Sequence, residues 1–303
     1  MTSFTKGLWH PTERGVLMPS GSVLEGSSTN KTNFLHIKSR AKEIEDLYAS
    51  AGLAMSPTCG LAQLIENAKT LANRWLSNQT ADSSMIDVFY ALHLDQLADA
   101  ILSLRDVPGK EKYLNALTSG ELDCFSRQDS YAKNIFWELE LWAILRRRCL
   151  SASLQDPPDI VLILAGSTLG IACKKIYSEN NVEKVLSEAV GQVEADFNVG
   201  VVALSLDELI PPETVLRVRN KTEMDRFLHK HTDTFVARHE RHLRKYLSSG
   251  RLVSALVSVS VIAHVLEWKV QFNNARSSLV WTIPGLAPEK EALLTQFRDL
   301  VVV

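Results

Sequence analysis

Apolar and polar positions alternate with one period in the first part of the chain and another in the second. Over Ser39 to Ala51, Gly60 to Leu76 and Ser83 to Leu104, apolar residues recur every three or four positions, the spacing of amphipathic helices. In the third segment Ile86, Phe89, Tyr90, His93, Leu94, Leu97 and Ile101 form one stripe, so His93 reads as a core histidine. Pro108-Gly109 breaks the pattern, and Lys110 to Phe125 predicts a further helix. Residues 1 to 35, rich in Ser, Thr, Gly and Asn, read as a loose arm.

From about Ser130 the period changes. Tyr131 to Cys149 is a strongly apolar helix in which Trp137 and Trp142 read as core, and Asp156-Pro157-Pro158 breaks it. Asp159-Ile-Val-Leu-Ile-Leu and Thr168 to Lys174 predict two strands joined at Gly166-Ser167. A helix over Asn181 to Ala195, a strand from Asn198, a long basic helix over Thr222 to Leu247, strands near Val253 to Val265 and Leu279 to Ile283, and a helix from Pro288 follow. The expected architecture is α/β, with a helical domain over 36–127 in front of a mixed-sheet domain over 128–303.

Composition narrows the class without fixing it. The 303 residues are 46% apolar and 22% charged, which suits a globular chain of about two domains. A formal charge of -2 excludes a uniformly basic nucleic-acid coat but leaves room for a basic groove. Trp9, His10, Pro11 and Glu13 stand where a secretory signal needs an apolar core, and no apolar run approaches the ~20 residues of a membrane span. Cys59, Cys124, Cys149 and Cys173 are widely spaced with no C-x-x-C pair, which points to reduced thiols and a cytoplasmic chain without a membrane partner.

The chemistry lies in Pro158-Asp159-Ile and, after a short hairpin, Gly170-Ile-Ala-Cys-Lys174-Lys175. Strand alternation puts Ala172 and Lys174 on one side, and Asp159 can share it. Together with the upstream helix segment Phe136-Trp-Glu-Leu-Glu-Leu-Trp and the downstream Glu188-Ala-Val-Gly-Gln192, this segment, about residues 131–206, resembles the PD-(D/E)xK, restriction-endonuclease-like nuclease core.

The resemblance implies a mixed sheet flanked by helices, hydrolysis of DNA phosphodiesters, and Mg²⁺ or Mn²⁺ as cofactor. Asp159 matches the motif aspartate and Lys174 the motif lysine. The backbone carbonyl of Cys173 stands where the family supplies a metal ligand. Glu138 matches the helix glutamate, with Glu140 as the alternative, and Gln192 matches a glutamine of the next helix. One position departs: the family expects an acid at 172, and this chain has Ala172. The acid has been replaced in an enzyme, or lost in a natural pseudoenzyme, or moved to another position such as Glu138. The reading favoured here is an enzyme disabled at 172, because the neighbouring motif elements are intact. Mg²⁺ requires hard oxygen ligands, so an alanine there lowers both metal affinity and rate.

Glu138 lies on a helix apolar nearly all round, and Arg146 to Arg148 are its candidate partners. Arg217 to Arg251 contains ten Lys and Arg against four Asp and Glu. Arg238, Arg241 and Lys245, with His242, fall on one helix face there, and with Lys175 and Gln192 they are candidates for tracking a nucleic-acid backbone. Nucleases of this type with an added helical domain resemble effectors of phage or mobile-element defence. The helical domain would then carry a partner protein or a homo-oligomer contact. The rival to catalysis is a nuclease-like DNA clamp or scaffold without activity.

Overall fold

The computed structural model describes residues 9–11, 17–24, 34–77, 85–148, 151–164, 166–194, 197, 199–212, 214–268 and 272–301. Among the described residues, four helices follow two N-terminal strands: α1 (Phe34–Ser50), α2 (Gly60–Leu76), α3 (Met85–Leu102) and the short α4 (Glu111–Thr118). Their buried stripes follow the helical period, with Ile37, Ala41, Ile44 and Tyr48 on α1 and Leu94, Leu97, Ala98 and Ile101 on α3. Helix α2 starts where the Cys59 side chain accepts a hydrogen bond from the Ala62 amide. Helix α4 stops seven residues short of the expected Phe125. Just beyond it the chain passes so close to the next helix that a Cβ on Gly120 would stand 2.8 Å from Ser130 Oγ and 3.1 Å from the Ala132 amide nitrogen.

Helix α5 (Tyr131–Arg148) leads into the sheet. After β1 (Trp9–Pro11) and β2 (Leu17–Leu24), the strands in chain order are β3 (Ser153–Leu154), β4 (Ile160–Leu164), β5 (Ser167–Lys175), β6 (Gly200–Ser205), β7 (Val215–Val218), β8 (Ser254–Val265) and β9 (Phe272–Trp281). Helix α6 (Val182–Glu194) crosses from β5 to β6, α7 (Lys221–Ser248) from β7 to β8, and α8 (Pro288–Val301) follows the last strand. The sheet runs β1-β2-β9-β8-β6-β5-β4-β3, with β7 also beside β8. β5 and β6 are parallel, as are β6 and β8, and the hairpins β4–β5 and β8–β9 are antiparallel. The fold is therefore α/β on a mixed sheet, as expected.

Two further expectations change. Part of the arm, Trp9–Pro11 and Leu17–Leu24, is strand, because β9 leaves a free edge that β2 fills from Ser20 to Leu24. β9 begins seven residues before the expected Leu279, since its polar residues Asn273, Arg276, Ser277 and Ser278 are all buried and hide the strand pattern. The expected element ends Ser83, Cys149, Ala195 and Asn198 lie outside the described residues.

Side-chain alternation on β5 gives the sheet two apolar faces. Ile171 and Cys173 pack with Trp137, Leu139 and Leu141 of α5 in a core that continues through α3 to α1. Ala172 packs in the opposite core with Leu186, Ala189 and Val190 of α6. Trp137 and Trp142 are buried, and their ring N–H groups donate to the Ala203 and Ala152 carbonyls at 3.3 and 3.2 Å. Both are core residues, as their place in the apolar stripe implies.

Candidate active site

The hairpin β4–β5 and the two helices beside it bring the motif residues to one end of the sheet. Ile160 pairs with Ile171, and continuing that register one residue outward sets Asp159 opposite Ala172. The Gln155 amide donates to the Asp159 carbonyl at 3.0 Å, closing the turn that holds Asp156 beside it. Asp159 is 6% exposed, and its Oδ2 accepts a hydrogen bond from the Cys173 amide at 2.5 Å. In an extended strand the N–H and C=O of one residue point the same way, so the Cys173 carbonyl also faces the Asp159 edge.

A cleft of about 410 Å³ opens here. Glu138, Asp159, Cys173, Lys174, Lys175 and Gln192 all line it, one from α5, four from the hairpin and one from α6. The structure thus gathers six of the predicted site residues. Ala172 is not among them: it is fully buried in the α6 core. Helix α5 also decides between its two glutamates. Glu140 points the other way, ion-paired with the buried Arg276 and accepting from Gln96 at 2.5 Å.

Electrostatics tie the cleft residues together. Burial pushes the Glu138 carboxyl well above the usual carboxylate range, the charge of Asp159 pushes it further, and Lys174 pulls it back. Burial raises Asp159 too, opposed by the Cys173 N–H and by Lys174. Asp156 raises both groups. Burial and the same two acids hold the Cys173 thiol well above its ordinary value, so it stays protonated and inert at neutral pH. Across the cleft the Gln192 Oε1 is buried with no hydrogen-bond partner.

Arg146 to Arg148 are not the partners of Glu138. Arg146 stacks over the Trp142 ring at 5.4 Å, and Arg148 donates to the Leu300 carbonyl at 2.7 Å. Lys175 lines the cleft but is buried, its ammonium 3.6 Å from Glu208 and 3.7 Å from Asp207, so two acids already balance its charge. The remaining candidates sit elsewhere. Arg238 pairs with Glu179 at 2.6 Å and Lys245 with Glu183 at 4.0 Å, while Arg241 is exposed. Those three do not line the cleft. Their face of α7 lies against the segment leading into α6, where His239 and His242 meet the same two acids.

Sequence reasoning passed over Asp156, read only as part of a breaker, and Asn134, which lines the cleft one turn before Glu138 and accepts from the Tyr177 hydroxyl at 3.0 Å. A carboxylate three residues before Asp159 was the available signal for the first. His93 is a core histidine as read. Its Nε2 donates to the Leu122 carbonyl at 2.9 Å, and burial, helped by Lys175 and Lys133, lowers its pKa to about 4.

The cleft offers hard oxygen donors: the half-buried Glu138 carboxyl, raised by burial and by the charge of Asp159, the buried Asp159 carboxyl, a strand carbonyl and an amide oxygen without a hydrogen-bond partner. That chemistry fits Mg²⁺ or Mn²⁺. Among the described residues no group of three or more His, Cys, Asp or Glu side chains is placed to hold a metal ion. No helix among the described residues is long and apolar enough to cross a membrane. No protein-family model matches the chain, and no curated protein or solved structure matches it either.

Proposed function

We propose that this chain is a DNA endonuclease of the PD-(D/E)xK type, hydrolysing phosphodiesters with Mg²⁺ or Mn²⁺, and disabled by alanine at 172. The carrying observation is that Glu138, Asp159, Lys174 and Gln192, 54 positions apart in sequence at the extremes (138 to 192), line one cleft with the Cys173 carbonyl edge. The element order α5–β3–β4–β5–α6–β6, three antiparallel strands between two helices and then a parallel strand, also resembles that core.

In this reading Asp159 and the Cys173 carbonyl hold the metal, and Glu138 supplies the second carboxylate within reach. A metal held there would supply charge stabilisation at the scissile phosphate and a lowered pKa for the attacking water. Lys174 faces the same cleft, where its ammonium orients that water or meets the growing negative charge. The Cys173 N–H fixes the Asp159 carboxylate by its hydrogen bond to Oδ2. Gln192 Oε1 is free to accept from water or substrate.

Plasmid cleavage with Mg²⁺ tests this, comparing the chain with Ala172→Glu and Ala172→Glu/Lys174→Ala. Cleavage by the single variant alone is the expected result. If none of the three cuts, with cell lysate supplied as a source of partner, the catalytic reading fails. The second reading, a non-catalytic DNA clamp, draws on the full burial of Ala172 among apolar residues of α6. It requires DNA affinity that falls steeply with salt, whereas a scaffold binds no DNA.

A further inference from the structure

One wall of the cleft comes from outside the nuclease-like core. Lys112, Tyr113 and Ala116 of α4, in the helical region, line it beside Ile135 and Glu138 of α5. The chain turns from one helix into the other where Gly120 meets Ser130 and Ala132. Tyr113 lies seven residues before that contact and Glu138 seven residues after it (113 to 120 and 131 to 138). A helix rises about 1.5 Å per residue, so equal counts bring the two side chains to about the same level of the helix pair. The charges agree with that placement. Burial raises the Tyr113 phenol above its ordinary value, Lys112 opposes the rise, and Glu138 and Asp156 add to it. Lys112 is also among the charges that pull Glu138 back down after burial and the neighbouring acids have raised it.

Tyr113 has a proton to give and nothing to receive it. The residue is 6% exposed, and its hydroxyl is buried with no hydrogen-bond partner. The Lys112 ammonium, 4.6 Å from the centre of the Tyr113 ring, carries only donors and cannot accept that proton. Glu138 shows the complementary lack. The Cys173 amide holds Asp159, and Arg276 and Gln96 hold Glu140. No hydrogen bond or ion pair among the described residues engages the half-buried Glu138 carboxyl. Asp156, the other acid that acts on Tyr113, is exposed to water and needs no protein donor. A buried donor left unmade is costly, and carboxylates that bind metals are commonly oriented by a hydrogen bond from a second group.

We infer that Tyr113 is a positioning residue of the cleft, its hydroxyl donating to the Glu138 carboxylate and orienting it as a ligand of Mg²⁺ or Mn²⁺. The inference rests on the metal-binding reading of the cleft proposed above. The two groups are not hydrogen-bonded in this structure. Hydrogen bonds at catalytic sites are often long in the unliganded protein and tighten in the complex. The helical region thereby supplies part of the site rather than only a contact for partners.

The test is titration of the full chain and of Ala172→Glu with Mn²⁺, read by the electron paramagnetic resonance of the free ion and by melting temperature. Tyr113→Phe removes the hydroxyl alone. In whichever of the two chains binds Mn²⁺, it should weaken binding about 10- to 100-fold, the range for groups that orient metal ligands. Without metal the same variant should melt at the same temperature or higher, since it loses a buried hydroxyl that has no acceptor. A tyrosine with a merely structural role would give the reverse, a lower melting temperature with Mn²⁺ affinity unchanged. On a Glu138→Gln background, Tyr113→Phe should cause no further loss of affinity. Two results overturn the inference alone: Mn²⁺ bound equally with and without the hydroxyl, or a further tenfold loss on the Glu138→Gln background. No Mn²⁺ binding by either the unmutated chain or Ala172→Glu overturns the metal-binding reading of the cleft, and this inference with it.

Discussion

Lys175 lies between two polar regions whose charges are met to different degrees. In the cleft, burial raises both carboxyls, Asp159 raises Glu138 further, and Lys174 is the chief cation answering them. In a smaller hollow on its other side, Arg127, Lys133 and Lys175 all lie 3.5 to 3.6 Å from Glu208, and Lys175 also meets Asp207. A third arrangement, a few ångströms of helix away, shows what a closed account looks like: Glu140, two positions from Glu138 on α5, is matched by Arg276 and Gln96. Burial alone does not distinguish a working site from a structural one. What distinguishes them is whether the buried charges are already answered.

The comparison breaks hardest at the closed pair. Arg276→Met leaves Glu140 buried and uncompensated and should cost about 3–5 kcal/mol in urea unfolding. Replacing both partners with apolar residues should recover most of that loss. If the single variant costs under about 1 kcal/mol, Glu140 is answered by something other than Arg276.

Next is Ala172→Glu read by stability rather than cleavage. A third carboxylate beside Asp159 should cost about 1–3 kcal/mol without metal, and millimolar Mg²⁺ should restore it. The unmutated chain should gain less from Mg²⁺ than the variant. Equal gains would mean that position 172 does not feed the site.

A subtler effect concerns pH. Folding raises the Glu138 and Asp159 pKa values, so the folded state holds more protons than the unfolded state across the window from the ordinary carboxylate range upward. Stability from these groups is present at the acid end and is lost as pH rises through their folded values. Glu138→Gln should therefore leave stability little changed near pH 4.5 and raise it at pH 8, and melting curves at both values read the difference. A variant equally shifted at both would mean the carboxyl does not titrate with folding.

The smallest effect belongs to the α7 surface. Arg238→Ala removes an exposed pair with Glu179 and should change stability by less than about 0.5 kcal/mol. If that face tracks DNA, the same substitution lowers the salt slope of binding by about one.

What the sequence revealed was local. Helix α2 begins and ends at the expected Gly60 and Leu76, and the β4–β5 hairpin sits within a residue of its expected ends, because periodicity and turn residues act over a few positions. The cleft was legible for the same reason: Asp159 and Lys174 belong to one hairpin, and Glu138 and Gln192 to the helices flanking it. The burial of Lys175 was not, since Glu208 reaches it only through the β5–β6 pairing, 33 positions along the chain (175 to 208). The preference for Glu138 over Glu140 was legible, but not its physical reason, an arginine in β9 that takes up Glu140. Sheet order supplies such partners, and no short window of sequence contains it.

The continuous core under α5 has a practical consequence. Leu94, Leu97 and Ile101 of the helical region and Trp137, Leu139 and Leu141 of α5 belong to one cluster that extends to Ile160 and Ile171 of the sheet. A fragment beginning at residue 128 would carry the whole cleft hairpin yet present the apolar back of α5 to water. Crystallisation or assay of the sheet half alone would thus meet an aggregating protein, and the intact chain should melt in one calorimetric transition.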